Sequence, residues 1–247
     1  MVPDCRFAST LRRFDPTSYP VAHNGAGVRR CLVMGQSGSH DAVRRSYDAV
    51  AEKYAAQFSD ELAGKPLDRA LLACLVEQAQ PGAPVADVGC GPGHVAAWLA
   101  DHGVCAVGID LSAAMVAAGR RDHPAVEFRE GDFLGLPATD GEFGAVVALY
   151  SIIHLEPGEL PRAFAEIRRV LRPAGLALVS FHVGSEVRHL AEWWGVAVDV
   201  DFRFLEMADV AGVAERSGLI MQARLERTSY PGEVETRRGY LLARRRD

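Results

Sequence analysis

The stretch "VADVGCGPGHVAAWLADHG", Val85–Gly103, decides how the rest of the chain is read. A short apolar run ends in glycine, Gly89, Gly91 and Gly93 alternate with other residues, and an amphipathic run stopped by Gly103 follows. This is the pattern of a strand, a tight turn and a helix. Glycines at such a turn let the backbone pass close to a ligand, and the helix behind it presents free N–H groups and a partial positive charge. The glycines alone leave a dinucleotide, a nucleoside or no ligand open.

Downstream the alternation continues. "VCAVGID", "AVEFREGDF", "FGAVVALYS" and "GLALVSFHV" read as apolar strands. "LSAAMVAAGRRDHP" reads as a helix with Ser112 as N-cap, and "ELPRAFAEIRRVLRPAG" as one ended by Pro173 and Gly175. "MADVAGVAERSG" is a further helix, and "LIMQARLERTSY" and "RRGYLLARR" are two strands joined by a loop alone. Alternating β and α units demand a parallel sheet with helices on both faces. Two strands without a helix between them pair antiparallel. The expected fold is therefore α/β, mostly parallel, with an antiparallel strand near the C-terminus. No internal repeat is visible.

Upstream, "HDAVRRSYDAVAEKYAAQF" puts Val43, Tyr47, Val50, Tyr54 and Phe58 on one helical face. A second helix follows Pro66 and ends at Pro81-Gly82. Residues 1–39 mix Pro, Gly, Ser, Asn and Arg without period and read as a poorly ordered arm, with Met34 as an alternative start. Residues 40–247 form the domain, with 40–80 as N-terminal lid helices and 184–206 as an insertion.

The 247 residues are 49% hydrophobic and 24% charged, an ordinary soluble composition, and the net charge of −5 gives no basic excess for nucleic acid. The five cysteines are scattered without a C-x-x-C pair, so neither a zinc site nor any other metal is expected, and reduced thiols in the cytoplasm are. There is no secretory signal and no apolar run long enough to span a bilayer, so no membrane partner is expected.

The acids around the glycines narrow the ligand. A nicotinamide loop reads G-x-G-x-x-G, yet His94 stands where the third glycine belongs. Asp87, inside the end of the strand, would repel a pyrophosphate and favour an ammonium group. Asp110 ends the next strand, where a carboxylate can accept both hydroxyls of a ribose. Asp132, after the third strand, can accept from an exocyclic amine, and Phe133 offers a flat apolar neighbour for a base.

This arrangement resembles the class I S-adenosylmethionine-dependent methyltransferases, small-molecule branch. The matching motifs are "ADVGCGPG" (86–93), "GIDLS" (108–112), "EGDF" (130–133), "FGAVVALYSIIHL" (143–155) and "LRPAGLALVS" (171–180). The resemblance covers roughly residue 39 to the C-terminus. It implies a Rossmann-like, doubly wound seven-stranded sheet and S-adenosylmethionine as cofactor. By the same resemblance Gly89, Cys90 and Gly91 lie along the methionine part, with Asp87 at its ammonium group. Asp110 takes the ribose hydroxyls, Leu111 packs by the adenine, Met115 reads equally as packing there or as a core helix methionine, and Gly131, Asp132 and Phe133 meet the adenine and its amine. Tyr47 and Tyr54 resemble lid-helix tyrosines; they serve equally as the buried face of an amphipathic helix.

A sulfonium methyl group is already electrophilic, so transfer needs in-line approach, exclusion of water and an acceptor near deprotonation. Tyr150, Ser151 and His154 are expected by the sulfonium end. His154 and His182 are the candidate general bases. The Asn/Asp-Pro-Pro-Tyr run of the nucleobase-methylating branch is missing after the fourth strand, which argues against that chemistry. The insertion carries Trp193, Trp194, Phe202, Arg203 and Phe204 without clear helical or strand unity. It reads as the cap of the acceptor pocket, or as a surface hairpin. The expected reaction is methyl transfer to a small-molecule acceptor, with oxygen favoured, by a monomer or homodimer. A nicotinamide-dependent oxidoreductase and a cofactor binder without methyl transfer are the alternatives.

Overall fold

The computed structural model describes residues 37–247. Most of the expected arm, with Met34, Cys5 and Cys31, lies outside the described residues. The first helix, α1 (Ser37–Phe58), is already under way at Ser37. It is followed by a 3-10 turn (Glu61–Gly64) and α2 (Pro66–Gln78). Then come β1 (Val85–Val88), α3 (His94–Asp101), β2 (Ala106–Asp110), α4 (Ala113–Asp122), β3 (Glu127–Glu130), β4 (Phe143–Leu149), α5 (Leu160–Val170) and β5 (Leu171–Val183). The chain continues with β6 (Val187–Trp193), β7 (Val196–Arg203), α6 (Met207–Arg216), β8 (Leu219–Arg227) and β9 (Arg237–Arg245).

Seven strands form one sheet in the order β3-β2-β1-β4-β5-β9-β8. β1 to β5 run parallel, β9 pairs antiparallel with β5, and β8 pairs antiparallel with β9. Side-chain parity along β1 explains the two helical layers. Ala86 and Val88 face a core with Phe164 of α5 and Val210 of α6. Val85 faces the other core, with Leu72 and Leu75 of α2, Val95 and Leu99 of α3 and Val116 of α4. Strand order reverses between β1 and β4, and ligands in open α/β sheets bind at the carboxyl ends beside such a reversal.

Two elements differ from expectation. α5 stops at Val170, and the chain is already extended at Leu171, ahead of Pro173. Proline disfavours helical backbone in the residue before it, so the helix ends earlier than the proline itself. The insertion is a two-stranded antiparallel sheet of β6 and β7. Its turn places Trp194 at φ 52° and Gly195 at φ 77°, the two positive values that a two-residue type I′ hairpin requires.

α1 lies over the carboxyl ends of the strands and is tied down along its length. Asp48 accepts from Ser112 Oγ at 2.6 Å and from the Ala114 amide at 3.1 Å. Ser46 Oγ accepts from the Asp199 amide at 2.9 Å, and Lys53 donates to the Trp194 carbonyl at 3.0 Å. Between α1 and the hairpin sits a third apolar cluster built on Val50, Phe58, Leu190 and Trp193.

Beneath the glycine loop, Phe128 of β3 fills space left by missing side chains. A Cβ added at Gly93, Gly108 or Gly119 would come within 2.4, 2.7 or 2.6 Å of its ring. Gly108→Ala should therefore destabilise the protein by about 1–3 kcal/mol through overpacking. Phe128→Leu in the same chain should recover part of that loss. Urea unfolding of the two single variants and the double variant measures this; additive effects would contradict the packing assignment.

Candidate functional site

The glycine loop is held from the neighbouring strand. The amides of Gly89 and Cys90 donate to the Ile109 carbonyl at 2.7 and 3.1 Å. The Gly91 amide donates to Asp110 Oδ2 at 2.7 Å, and the Ser112 amide to Asp110 Oδ1 at 2.8 Å. Gly89 sits at φ 71°, and a Cβ there would lie 2.3 Å from Ser151 Cβ, so glycine is required on both counts. The loop opens onto a cavity of about 900 Å³ under α1 and the hairpin.

The cavity is lined by Asp87, Gly89, Cys90, Gly91, Asp110, Leu111, Gly131, Asp132 and Phe133. Asp87 is buried, and its Oδ2 has no hydrogen-bond partner. Burial and the Asp110 charge push its carboxyl up to about 7, against the pull of His94 and the Ala96 amide. Burial likewise raises Asp110 to about 6, although two backbone amides hold its oxygens. Each Asp110 oxygen keeps a second lone pair for a ligand. Cys90 is buried, and burial pushes its thiol well up, so it is not a nucleophile here.

The lining also includes Tyr47, Tyr54, Tyr150, Ser151, His154, His182, Trp193, Phe202 and Phe204, with Ser151 and Tyr54 directly against Gly89 and Gly91. Tyr150 adopts φ 54°, a strained value for a tyrosine, directly after β4. Its hydroxyl meets Tyr240 Oη at 3.0 Å, and Tyr240 donates to Asp68 at 3.1 Å while accepting from Arg227 at 2.9 Å. Tyr240 has one proton and spends it on Asp68, so Tyr150 is the donor in their pair. His154 Nδ1 lies 3.0 Å from the Asp201 carbonyl, which can only accept, so Nδ1 carries the proton. Nε2 is then the acceptor for Tyr47 Oη at 2.9 Å. Burial lowers His154 to about 4 and keeps it neutral. His182 is lowered to about 3, first by burial and then by Arg238, Lys65 and Arg188. Thr236 Oγ1 meets its Nδ1 at 2.9 Å, which leaves Nε2 as the ring nitrogen available to a ligand.

Three expected site residues are placed elsewhere. Met115 is fully buried and does not line the cavity. Trp194, at the hairpin turn, stacks on Trp193 behind the cavity wall. Arg203 pairs with Glu156 and, at 3.3 Å, with Asp201, and is likewise absent from the lining. Other lining residues have no role in the sequence reading: His40, Glu61, Lys65, Asp68, Glu233, Thr236 and Arg238. Glu61 accepts from Lys65 at 2.5 Å and lies 3.3 Å from His94 Nε2. Burial alone would raise the Glu61 carboxyl, but Lys65 and His94 together hold it well below the usual range. The spacing of Glu61 and Lys65, four apart, is the only local signal for this group.

The sheet is doubly wound, with a glycine loop at the switch point and an acid at or just beyond the carboxyl end of each of its first three strands. Residues 85–175 match the methyltransferase domain family. That match spans β1 to the start of β5, the segment that carries the glycine loop, and it makes the chain similar to S-adenosylmethionine-dependent methyltransferases. It is 34% identical to a demethylmenaquinone methyltransferase of Beutenbergia cavernae over 143 residues, 57% of this chain and 58% of that one. It is 33% identical to a malonyl-[acyl-carrier protein] O-methyltransferase of Pectobacterium atrosepticum over 117 residues, 47% and 45% of the two. The chain thus spans about half the length of the curated relatives it matches. In fold it is similar to the 1,6-didemethyltoxoflavin-N1-methyltransferase of Burkholderia thailandensis, solved with 1,6-didemethyltoxoflavin and S-adenosylhomocysteine. There the TM-score is 0.67 at 18% identity, covering 88% of this chain and 93% of that one.

The residues present fit S-adenosylmethionine, the cofactor of the family. The unpartnered Asp87 oxygen lacks the donor that an ammonium group supplies, and the glycine cradle leaves room that a Cβ would take. Without that donor the ionised Asp87 carboxylate is costly. Its folded-state pKa is raised, so its contribution to stability is full below about pH 4 and is lost as pH rises through about 7. In ligand-free protein, the stability of Asp87→Asn relative to the parent should therefore rise across that window, by on the order of a few kcal/mol. Urea unfolding at a series of pH values tests this; a difference independent of pH would refute the assignment.

Proposed function

We propose that this chain transfers a methyl group from S-adenosylmethionine to a small-molecule acceptor, with oxygen as the favoured acceptor atom. The carrying observation is one continuous cavity that the glycine loop and its acids share with a set of aromatic side chains and two histidines. We assign residues 40–80 as the lid and 184–206 as the acceptor cap. We read the protein as cytoplasmic, acting as monomer or homodimer. The free thiols of Cys74, Cys90 and Cys105 accord with that compartment, and among the described residues no helix is long and apolar enough to cross a membrane.

Asp87 and the backbone of Gly89, Cys90 and Gly91 hold the amino-acid part, Asp110 the ribose, and Leu111, Gly131, Asp132 and Phe133 the adenine. When bound, the cofactor supplies an electrophilic methyl group. Everything else is positioning, exclusion of water and placement of one proton. Tyr47, Tyr54, Trp193 and Phe202 close the cavity against water. Ser151 Oγ and Trp193 Nε1 are buried without partners and line the cavity, and such groups await a ligand's polar atoms. His182 Nε2 takes the acceptor proton. A base lowered to about 3 suits an acidic hydroxyl, a phenol or enol, whose own acidity supplies most of the ionisation. His154, with both nitrogens engaged, orients Tyr47.

Asp110→Ala should weaken S-adenosylhomocysteine binding at least about 100-fold by calorimetry, with an unchanged far-ultraviolet spectrum. Near-normal affinity would remove the ribose assignment. Incubation with methyl-labelled cofactor and a panel of phenols, enols, amines and thiols tests the reaction. Label transferred to amines or thiols alone would overturn the oxygen reading, and intact binding with no transfer to any acceptor would favour a binder. With an acceptor in hand, His182→Ala should lower kcat at saturating cofactor by about 100-fold, and His154→Ala by less. The opposite order would exchange their roles.

A further inference from the structure

At the adenine end of the cavity, α1 reaches the sheet through one side chain. His40 Nδ1 lies 3.1 Å from Asp132 Oδ2, and its Nε2 lies 3.2 Å from the Glu159 carboxylate. Both partners stand on other elements, Asp132 in the loop after β3 and Glu159 at the start of α5. Each carboxylate is steadied by its own loop. Asp132 Oδ1 accepts from the Leu134 amide at 2.8 Å, and Glu159 Oε2 accepts from the Glu156 amide at 2.8 Å. Ionised carboxylates only accept, so both ring nitrogens must carry protons for both contacts to be hydrogen bonds. The bridge is therefore ionic, an imidazolium between two carboxylates. The His40 and Glu159 side chains are 16% and 10% exposed, which shields that arm of the bridge from solvent screening, while Asp132 is 42% exposed. His40, Val43 and Arg44 line the cavity from α1, opposite Leu111, Asp132 and Phe133.

We propose that His40 is the latch of the cofactor site. Its imidazolium holds the first turn of α1 against the adenine end and so governs how fast the cofactor leaves. It also positions Asp132, the residue read above as the acceptor for the adenine amine, and the inference rests on that reading. The latch is closed while His40 is protonated and opens as pH rises through its pKa. Burial lowers that pKa, but Glu159 and Asp132 together carry it above the ordinary 6.5. The charged groups facing the imidazole from other elements are these two carboxylates, and on its own helix Asp41 and Arg44 pair with each other at 3.1 Å. Asp87 and Asp110 titrate in the same range in the opposite sense, since their ionisation strengthens cofactor binding. A comparison with a His40 variant separates the two.

The experiment is the dissociation rate of labelled S-adenosylhomocysteine from the full chain, chased with unlabelled ligand. At about pH 6, His40→Gln and Glu159→Gln should each release it about tenfold faster than the parent. At about pH 9 the parent should converge on His40→Gln. The convergence is the readout that a purely structural role for His40 would not give, and Glu159→Gln leaves the imidazole and α1 intact. Rates within about twofold of the parent for both variants at every pH would overturn the latch and leave the cofactor reading standing. Failure of the parent itself to bind S-adenosylhomocysteine would overturn both.

Discussion

One carboxylate joins the parts on which the site depends. Asp110 Oδ2 holds the glycine loop through the Gly91 amide, and Oδ1 holds the next loop through the Ser112 amide. Ser112 in turn caps α4, accepting from the Met115 amide at 3.1 Å, and donates to Asp48 on α1. The loop after β1, the loop after β2 and α1 are thus fixed relative to one another through the side chains of Asp110, Ser112 and Asp48. A carboxylate with two oxygens and about four lone-pair directions can serve this structural role and still accept from a ligand. Alanine at this position loses the structural and the ligand-facing roles together. A long flexible acid would retain the charge and lose the geometry.

The site holds energy in unfavourable forms that a ligand can release. Asp87 is buried with an unpartnered oxygen, Tyr150 is in a left-handed conformation, and Ser151 Oγ and Trp193 Nε1 lack partners. Each costs stability in the ligand-free protein. The compensation lies in the two sheet cores and in the cluster that seats the hairpin on α1. It lies also in polar groups that are satisfied, above all Tyr240 with Asp68, Tyr150 and Arg227. β9 and β8 thereby do more than complete the sheet, since they bring Tyr240 and Arg227 to hold Tyr150 at the mouth of the crevice.

The parallel sheet, the glycine loop and the acids after the first three strands are legible in the sequence because each is a local pattern. Alternating apolar strands and capped helices specify their own order, and a carboxylate after a strand falls at the sheet's carboxyl edge by construction. The hairpin had a signal too. "VAVDVDF" alternates with period two and follows Trp194-Gly195, while the two preceding tryptophans speak for burial in any conformation and so mask the period. Met115 and Trp194 illustrate a different limit: a large apolar side chain near a site packs equally well beside the cavity or behind it. Arg203 found carboxylates before it found the pocket. His40, Glu233 and Arg238 carry no local signal for the site, since tertiary folding alone brings α1, the loop before β9 and the start of β9 to one crevice.

His154 ties the hairpin to α1. The carbonyl it meets belongs to Asp201 of β7, and the phenol it meets belongs to Tyr47 of α1. Only the hairpin's docking supplies an acceptor for Nδ1, and that acceptor is what leaves the Nε2 lone pair for Tyr47. Were the hairpin displaced, either tautomer would be open to the imidazole, and Tyr47 would lose its fixed acceptor. The orientation of a lid tyrosine is in this way set by a backbone carbonyl in an insertion 154 residues away in sequence, by Asp201 less Tyr47. The tryptophan that lines the cavity, Trp193, belongs to the same hairpin and packs edge-on against Tyr47 at 5.8 Å between ring centroids. A group that engages Trp193 Nε1 therefore acts on the element that fixes the His154 tautomer, and through it on Tyr47 of α1.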